Sequence, residues 1–368
     1  MTNERTVTGI AITPERAGAL HRTTLPSGEP GQREVEIAVI RVGVCGTDRE
    51  IIRGEIGFPP TGSSELVIGH EMVGRVTRVG TNVDRVAAGD LVTVTVRRPD
   101  GCPACQAGEP DMCLWLTYTE RGINGAHGFM AERITEHQDW VVKVPEHLEP
   151  IAVLTEPLTV VEKAVRQAEL IQRRLDYWNL KTAVVMGAGP IGLLGTLLLR
   201  GKGVEVFTVA RTPAPNAAAT VVERCGATYV STRDESLADL AERIDDIDLI
   251  IESTGSSKVV FESMQHLGNN GVLVLLSLTG GNDTLEIPAD ALNTSLVVGN
   301  KVVVGSVNAG TEDFVNAVAD LDVFERLWPG LALSMITHRF TVDDDLKLIA
   351  ARVDGGIKTV IEFHANRA

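Results

Sequence analysis

From Glu34 onward, polar residues alternate with apolar ones at both ends of a β-branched run (Glu-Val-Glu-Ile-Ala-Val-Ile-Arg-Val), and Asp90-Leu-Val-Thr-Val-Thr-Val alternates more regularly. A period of two marks half-buried strands, and Gly, Pro and Asp punctuate the runs. Residues 1 to about 155 therefore predict a β-rich, barrel-like unit. The spacing then changes. Between Pro157 and about Leu175, Leu158, Val161, Val165, Ala168 and Ile171 fall near one face of a helix. Beyond it, Lys181-Thr-Ala-Val-Val-Met reads as a buried strand, followed by glycines, an apolar stretch at 193–199, and a second strand, Val204-Glu-Val-Phe-Thr-Val-Ala. Asp248-Leu-Ile-Ile-Glu-Ser, Gly271-Val-Leu-Val-Leu-Leu-Ser and Lys301-Val-Val-Val-Gly-Ser follow at helical spacings. Strands alternating with helical spacers predict a parallel sheet with helices on both faces. The expected layout is one unit from residues 1–160 and 306–368, with an α/β unit at 161–305 inserted between them.

Composition narrows the function. With 368 residues, 44% of them hydrophobic, the chain can fill two cores, which excludes intrinsic disorder. Lys and Arg number 34 against 49 Asp and Glu, a net charge of −15. Such a surface repels phosphate backbones, and Arg97-Arg98 and Arg173-Arg174 are too little to reverse that, so no nucleic-acid partner is expected. The N-terminus shows no export signal, and no run nears the ~20 apolar residues of a membrane helix. A cytoplasmic protein with no membrane partner is the expectation. Three of the five cysteines lie between residues 102 and 113, a spacing that suits metal ligation better than a disulfide framework.

Gly187-Ala188-Gly189-Pro190-Ile191-Gly192 matches G-x-G-x-x-G between a predicted strand and a predicted helix. The first glycine permits the tight turn, the second lets a pyrophosphate approach the backbone, and the third lets helix pack on strand. These features predict a Rossmann-type, doubly wound dinucleotide-binding domain. NAD-binding versions put an acid at the end of the second strand to hold the ribose hydroxyl. Here that strand runs into Arg211, whose guanidinium suits a 2′-phosphate. NADP is therefore expected, with NAD as the alternative.

Three further segments carry metal-ligand chemistry: Val44-Cys45-Gly46-Thr47-Asp48, Gly69-His70-Glu71 and Thr155-Glu156-Pro157. A catalytic zinc takes three protein ligands and keeps one position open, and Cys45, His70 and Glu156 offer a thiolate, an imidazole and a carboxylate. Glu71 is a neighbouring or exchangeable ligand. A second cluster, Cys102-x2-Cys105-x7-Cys113, lacks a fourth cysteine, and Asp100 is the candidate to replace it. A structural zinc on Asp100, Cys102, Cys105 and Cys113 is weighed against a loop without metal. Cys225 reads as a buried core thiol. His21, His137, His147, His266, His338 and His364 read as ordinary surface or core histidines.

The chain resembles the zinc-dependent medium-chain dehydrogenase/reductase family, and within it the archaeal-type glucose dehydrogenases. The resemblance rests on Gly43-Val-Cys-Gly-Thr-Asp, Gly69-His-Glu-Met-Val-Gly, Ala88-Gly-Asp-Leu-Val and the glycine loop, in the family's order. Val96-Arg-Arg-Pro, Glu120-Arg-Gly-Ile, Ala126-His-Gly-Phe-Met, Glu156-Pro-Leu-Thr-Val-Val-Glu-Lys and Gly305-Ser-Val-Asn308 carry the branch. It implies an α/β fold with a GroES-like catalytic domain beside the Rossmann-type one. Members with a structural zinc usually carry a cysteine where this chain has Pro99.

The implied reaction is oxidation of an aldose at its anomeric carbon to the lactone. Cys45, His70 and Glu71 would serve the catalytic centre, and Thr47 would meet the substrate oxygen. Glu120, Glu156 and Asn308 would meet the sugar, with Asn308 also near the cofactor. Val160 stands where some members carry Asp. A homo-oligomer, dimer or tetramer, is implied too. The alternatives are a zinc-dependent secondary alcohol, polyol or amino-alcohol dehydrogenase, and, from another class, a noncatalytic binding protein on this fold.

Overall fold

The computed structural model describes residues 5–14, 20–244 and 246–363. Residues 1–4, within the stretch read as carrying no export signal, and His364 lie outside them. The chain forms two compact units: one up to Glu156 with Asn308–Leu321 and the chain from Ile336 onward, the other Pro157–Val307 with Asp322–Met335. The sequence reading returned all of 306–368 to the first unit. Asp322–Met335 instead packs with the second, because Val323 and Phe324 turn their apolar side chains to Gly201 and Phe324 is buried there.

The second unit is built on six parallel strands, Thr182–Met186, Glu205–Ala210, Thr228–Ser231, Leu249–Glu252, Val272–Leu275 and Val302–Gly305. In sequence order their spatial sequence is 3-2-1-4-5-6, that of a Rossmann-type sheet. The interior strands read as unbroken apolar runs because helices cover both faces, and Ala183, Val184 and Val185 are wholly buried.

In the first unit the strand Glu34–Val44 is the backbone of a seven-stranded sheet. It pairs antiparallel with Glu71–Val79, Arg133–His137 and Lys358–Glu362. Ile37, Val39, Val42, Ile68, Met72, Val92 and Phe129 pack the core around it. Its last residues matter most: Gly43 lies opposite Glu71, and Val44 opposite Thr359. A Cβ at Gly43 would collide with the Glu71 carboxylate and press on Lys358 Cε, so glycine is what lets those side chains occupy the space. Among the described residues, no helix is long and apolar enough to cross a membrane.

Candidate catalytic centre and cofactor loop

Cys45 follows the Glu34–Val44 strand directly and caps the helix Gly46–Ile52. Asp48, three residues on, accepts the Cys45 N–H through Oδ2 at 2.9 Å, which fixes the turn presenting the thiol. His70 stands just before the neighbouring strand, so both side chains emerge at one end of the sheet. The Cys45 Sγ lies 3.1 Å from His70 Nε2, while His70 Nδ1 faces Asp48 Oδ1 at 3.6 Å. At that separation the carboxylate acts through its charge, which favours a proton on Nδ1 and leaves Nε2 toward the thiol.

The ligating atoms of Cys45, Asp48 and His70 lie within 4.8 Å of one another, as do those of His70, Glu71 and Glu156. His70 joins the two trios. Cys45, His70 and Glu156, the set expected from the sequence, do not fall in a single trio. Asp48 Oδ1 and His70 Nδ1 are buried without a hydrogen bond. Glu71 is ion-paired with Lys358, itself 1% exposed. Buried polar atoms are normally satisfied, and one lysine facing several acids leaves an excess of negative donors. Thiol, imidazole and carboxylates in this state fit a divalent zinc.

Burial and mutual charge shift all three groups. Burial raises the Cys45 thiol, with His70 opposing. It also lifts the Glu156 carboxyl to about 7, His70 and Lys358 opposing and Glu71 adding to the rise. Burial pulls His70 down, but Cys45 and Asp48 bring the imidazole well above its usual value. Thr47, in the first turn of the Gly46–Ile52 helix, is half-buried, and its hydroxyl bonds to no described residue.

The second cluster closes on itself. Cys113 Sγ donates to Asp100 Oδ2 at 2.8 Å and Cys105 Sγ to Oδ1 at 3.3 Å, while Cys102 and Cys113 sulfurs lie 3.8 Å apart. All four ligating groups lie within 4.8 Å of one another. Asp100 thus stands among the three cysteines, within reach of the same point. Hydrogen bonds from Cys113, Cys102 and Thr117 hold its carboxyl well below the usual range.

Glu120 is buried on the strand Thr119–Arg121. Its Oε1 accepts from Asn308 Nδ2 at 2.7 Å and from Arg97 Nη2 at 2.9 Å and Nε at 3.1 Å. Asn308 stands in the left-handed region at φ 60°, which asparagine tolerates, and its Oδ1 accepts the Ala309 N–H at 2.7 Å.

In the second unit, Gly189 caps the helix Pro190–Gly201 without any side-chain bond, leaving first-turn N–H groups open to an anion. Gly187 has φ 107°, and a Cβ on Gly192 would collide with the Gly187 carbonyl. A Cβ on Gly189 would meet only open space, where a diphosphate can approach the chain. Arg211 is exposed just past the Glu205–Ala210 strand. Tyr229 donates to the Thr212 carbonyl at 2.7 Å and Asn216 donates to Tyr229 Oη at 3.2 Å, which pins the loop carrying it. Val160 is half-buried on the helix Thr155–Gln172, and Cys225 is a buried thiol donating to the Val222 carbonyl.

Three residues escaped the sequence reading of the site. Asp48 had a local signal, an acid three residues after the cap. Arg97 stood in the Val96-Arg-Arg-Pro segment without a site role, and Lys358 had no signal, since strand pairing brings both in.

A GroES-like β-rich unit with a Rossmann-type unit inserted near its end defines the medium-chain dehydrogenase/reductase architecture. A family model described as Glucose dehydrogenase C-terminus matches residues 149–363, and one described as Alcohol dehydrogenase GroES-like domain matches 31–146. The chain belongs to the glucose dehydrogenase family of zinc-dependent medium-chain dehydrogenases. It is 40% identical over 336 residues to a glucose 1-dehydrogenase of Methanocella arvoryzae, covering 91% of this chain and 93% of that one. It is 38% identical to that of Halobacterium salinarum, over 92% and 94%. Among solved structures, Haloferax mediterranei glucose dehydrogenase in complex with NADP, Zn and gluconolactone superposes with a TM-score of 0.88 at 33% identity, covering 97% and 99%.

Proposed function

We propose that this chain oxidises an aldose, glucose foremost, at the anomeric carbon to the lactone, with NADP as hydride acceptor and zinc held by Cys45, His70 and Glu156. The observation that carries the reading is the buried convergence of thiol, imidazole and carboxylates, with one lysine, Lys358, facing the acids. The named glucose 1-dehydrogenases and the Haloferax complex support the substrate and the cofactor.

When bound, zinc supplies Lewis acidity that eases loss of the substrate's hydroxyl proton. Thr47 meets the substrate oxygen and relays that proton outward, its hydroxyl donating to solvent as it accepts from the substrate. The Asp48 charge facing His70 Nδ1 favours the ligating tautomer. Lys358 restrains Glu71, the exchangeable neighbour. Glu120 accepts a sugar hydroxyl, since each buried hydroxyl needs a partner. The turn 187–192 cradles the diphosphate, and Arg211 pairs with the 2′-phosphate. A second zinc on Asp100, Cys102, Cys105 and Cys113 staples its loop. A homo-oligomer in the cytoplasm completes the reading.

The test is NADP or NAD reduction, followed by absorbance, with glucose, galactose, xylose, sorbitol and 2-butanol, with and without chelator. Chelator-sensitive reduction of NADP by aldoses is the expected outcome. Turnover of sorbitol or 2-butanol alone would refute the sugar assignment.

A further inference from the structure

Arg97 belongs to a pair of arginines that the metal centre does not use. It lies on the two-residue strand Arg97–Arg98, and the antiparallel register sets it directly across from Glu120. Its side chain is 3% exposed. Every donor on the guanidinium with a described partner is directed: Nε and Nη2 to Glu120 Oε1, and Nη1 to the Asp111 carbonyl at 3.2 Å. Tyr118 lies against its face, 3.6 Å from guanidinium carbon to ring centroid. The guanidinium is thus fixed on one face and through all three of its nitrogens.

The consequence falls on Glu120. Arg97 and Asn308 together place three N–H donors on Oε1 alone. No described residue donates to Oε2, and that oxygen is not sealed away from solvent. A carboxylate accepts hydrogen bonds and donates none, so Oε2 takes a hydroxyl hydrogen from whatever enters. With Oε1 clamped, the carboxylate cannot turn to suit another hydroxyl.

We propose that Arg97 is a positioning residue for sugar selection: by locking Glu120 Oε1 it aims Oε2 at one particular hydroxyl of the aldose. The inference deepens the proposed function and rests on Glu120 meeting the sugar. It distinguishes Arg97 from a generic ion-pair partner, because its loss removes preference for a single hydroxyl and leaves the chemistry in place.

The experiment measures kcat and KM for glucose and for the 2-, 3-, 4- and 6-deoxyglucoses with the zinc-loaded enzyme and NADP. The proteins are wild type, Arg97→Met, Arg97→Lys, Glu120→Gln and the double variant Arg97→Met with Glu120→Gln. Wild type should discriminate against one deoxy sugar above the others. Arg97→Met should raise the KM for glucose about 10- to 100-fold, the scale of a hydrogen bond to a charged group, with kcat changed only a few-fold. Its KM for that one deoxy sugar should stay near the wild-type value, so discrimination at that hydroxyl collapses.

Arg97→Lys keeps the charge without the planar fork and should fall between the two; it carries the test if the methionine variant does not fold. The double variant should be no worse than Glu120→Gln alone, because both act on one contact. An equal rise in KM for glucose and all four deoxy sugars would overturn the inference, as would additive losses in the double variant. If aldoses are turned over and Glu120→Gln leaves KM unchanged, Glu120 does not meet the sugar and the inference falls with that premise. If no aldose is oxidised, the proposed function falls first. If Glu120→Gln acts and neither Arg97 variant does, only the positioning role is lost.

Discussion

Glu36 sits near the start of the strand that ends at Val44, just before Cys45, is 1% exposed, and is ringed by donors. Thr77 Oγ1 donates to Oε1 at 2.7 Å, Arg78 Nε at 3.0 Å and Arg133 Nη1 at 3.2 Å, while Arg78 Nη2 pairs with Oε2. Burial alone would raise the carboxyl. The hydrogen bonds from Arg78 and Thr77 and the charges of Arg78 and Arg133 prevail and bring it from 4.5 to about 2.

That difference corresponds to about 3.4 kcal/mol, from ~1.36 kcal/mol per pKa unit. Arg78 and Arg133 keep roughly a quarter of their side chains in water, at 24% and 23%. Solvent screening therefore brings the expected loss for Glu36→Gln to about 2 kcal/mol at neutral pH. Because the folded value is depressed, the stabilisation is complete above the unfolded value and fades as pH falls from about 5 towards 2. The gap between wild type and variant should shrink to about 1 kcal/mol near pH 3.5. Urea unfolding of the two proteins in matched buffers from pH 7 to pH 3.5 reads this directly. A gap that stays constant with pH, or widens in acid, would refute the reasoning.

Lys358→Met leaves the Glu71 carboxylate buried without its cation and should destabilise the protein by about 3–5 kcal/mol. Adding Glu71→Gln should restore most of that, as thermal melts of the single and double variants would show. Gly43→Ala puts a methyl into the space of the Glu71 carboxylate, so catalytic zinc content and turnover should both drop, by metal analysis and assay. The wild-type chain should carry two zinc ions and Asp100→Ala one, with turnover kept at low temperature and a lower inactivation temperature; unchanged stoichiometry would remove the second site. Arg211→Ser should raise the KM for NADP about 10-fold or more and leave that for NAD within a few-fold.

Much of the molecule was legible along the chain. The strand at residues 34–42, the buried runs from Lys181 onward and the glycine loop follow from side-chain spacing and backbone freedom, which act over a few residues; that the strand is buried on both faces, Glu36 and Ala38 included, its alternation did not show. The Cys45–Asp48 turn and the Asp100–Cys113 cluster are local in the same sense. Their partners lie within 13 residues, and turn geometry suffices to bring them together.

Tertiary structure decided the rest. Asn308 reaches Glu120 across 188 positions, and Lys358 meets Glu71 because its strand pairs with Glu34–Val44 on one side while Glu71–Val79 pairs on the other. Arg97 opposes Glu120 through a register of two-residue precision, and Asp322–Met335 joins the second unit through Val323 and Phe324. Sheet pairing and burial select these neighbours by complementarity of whole surfaces, and neither leaves a mark in the flanking residues. By itself, the sequence determined which ligands and loops the protein carries. Only the packed sheet decided which charges stand behind them.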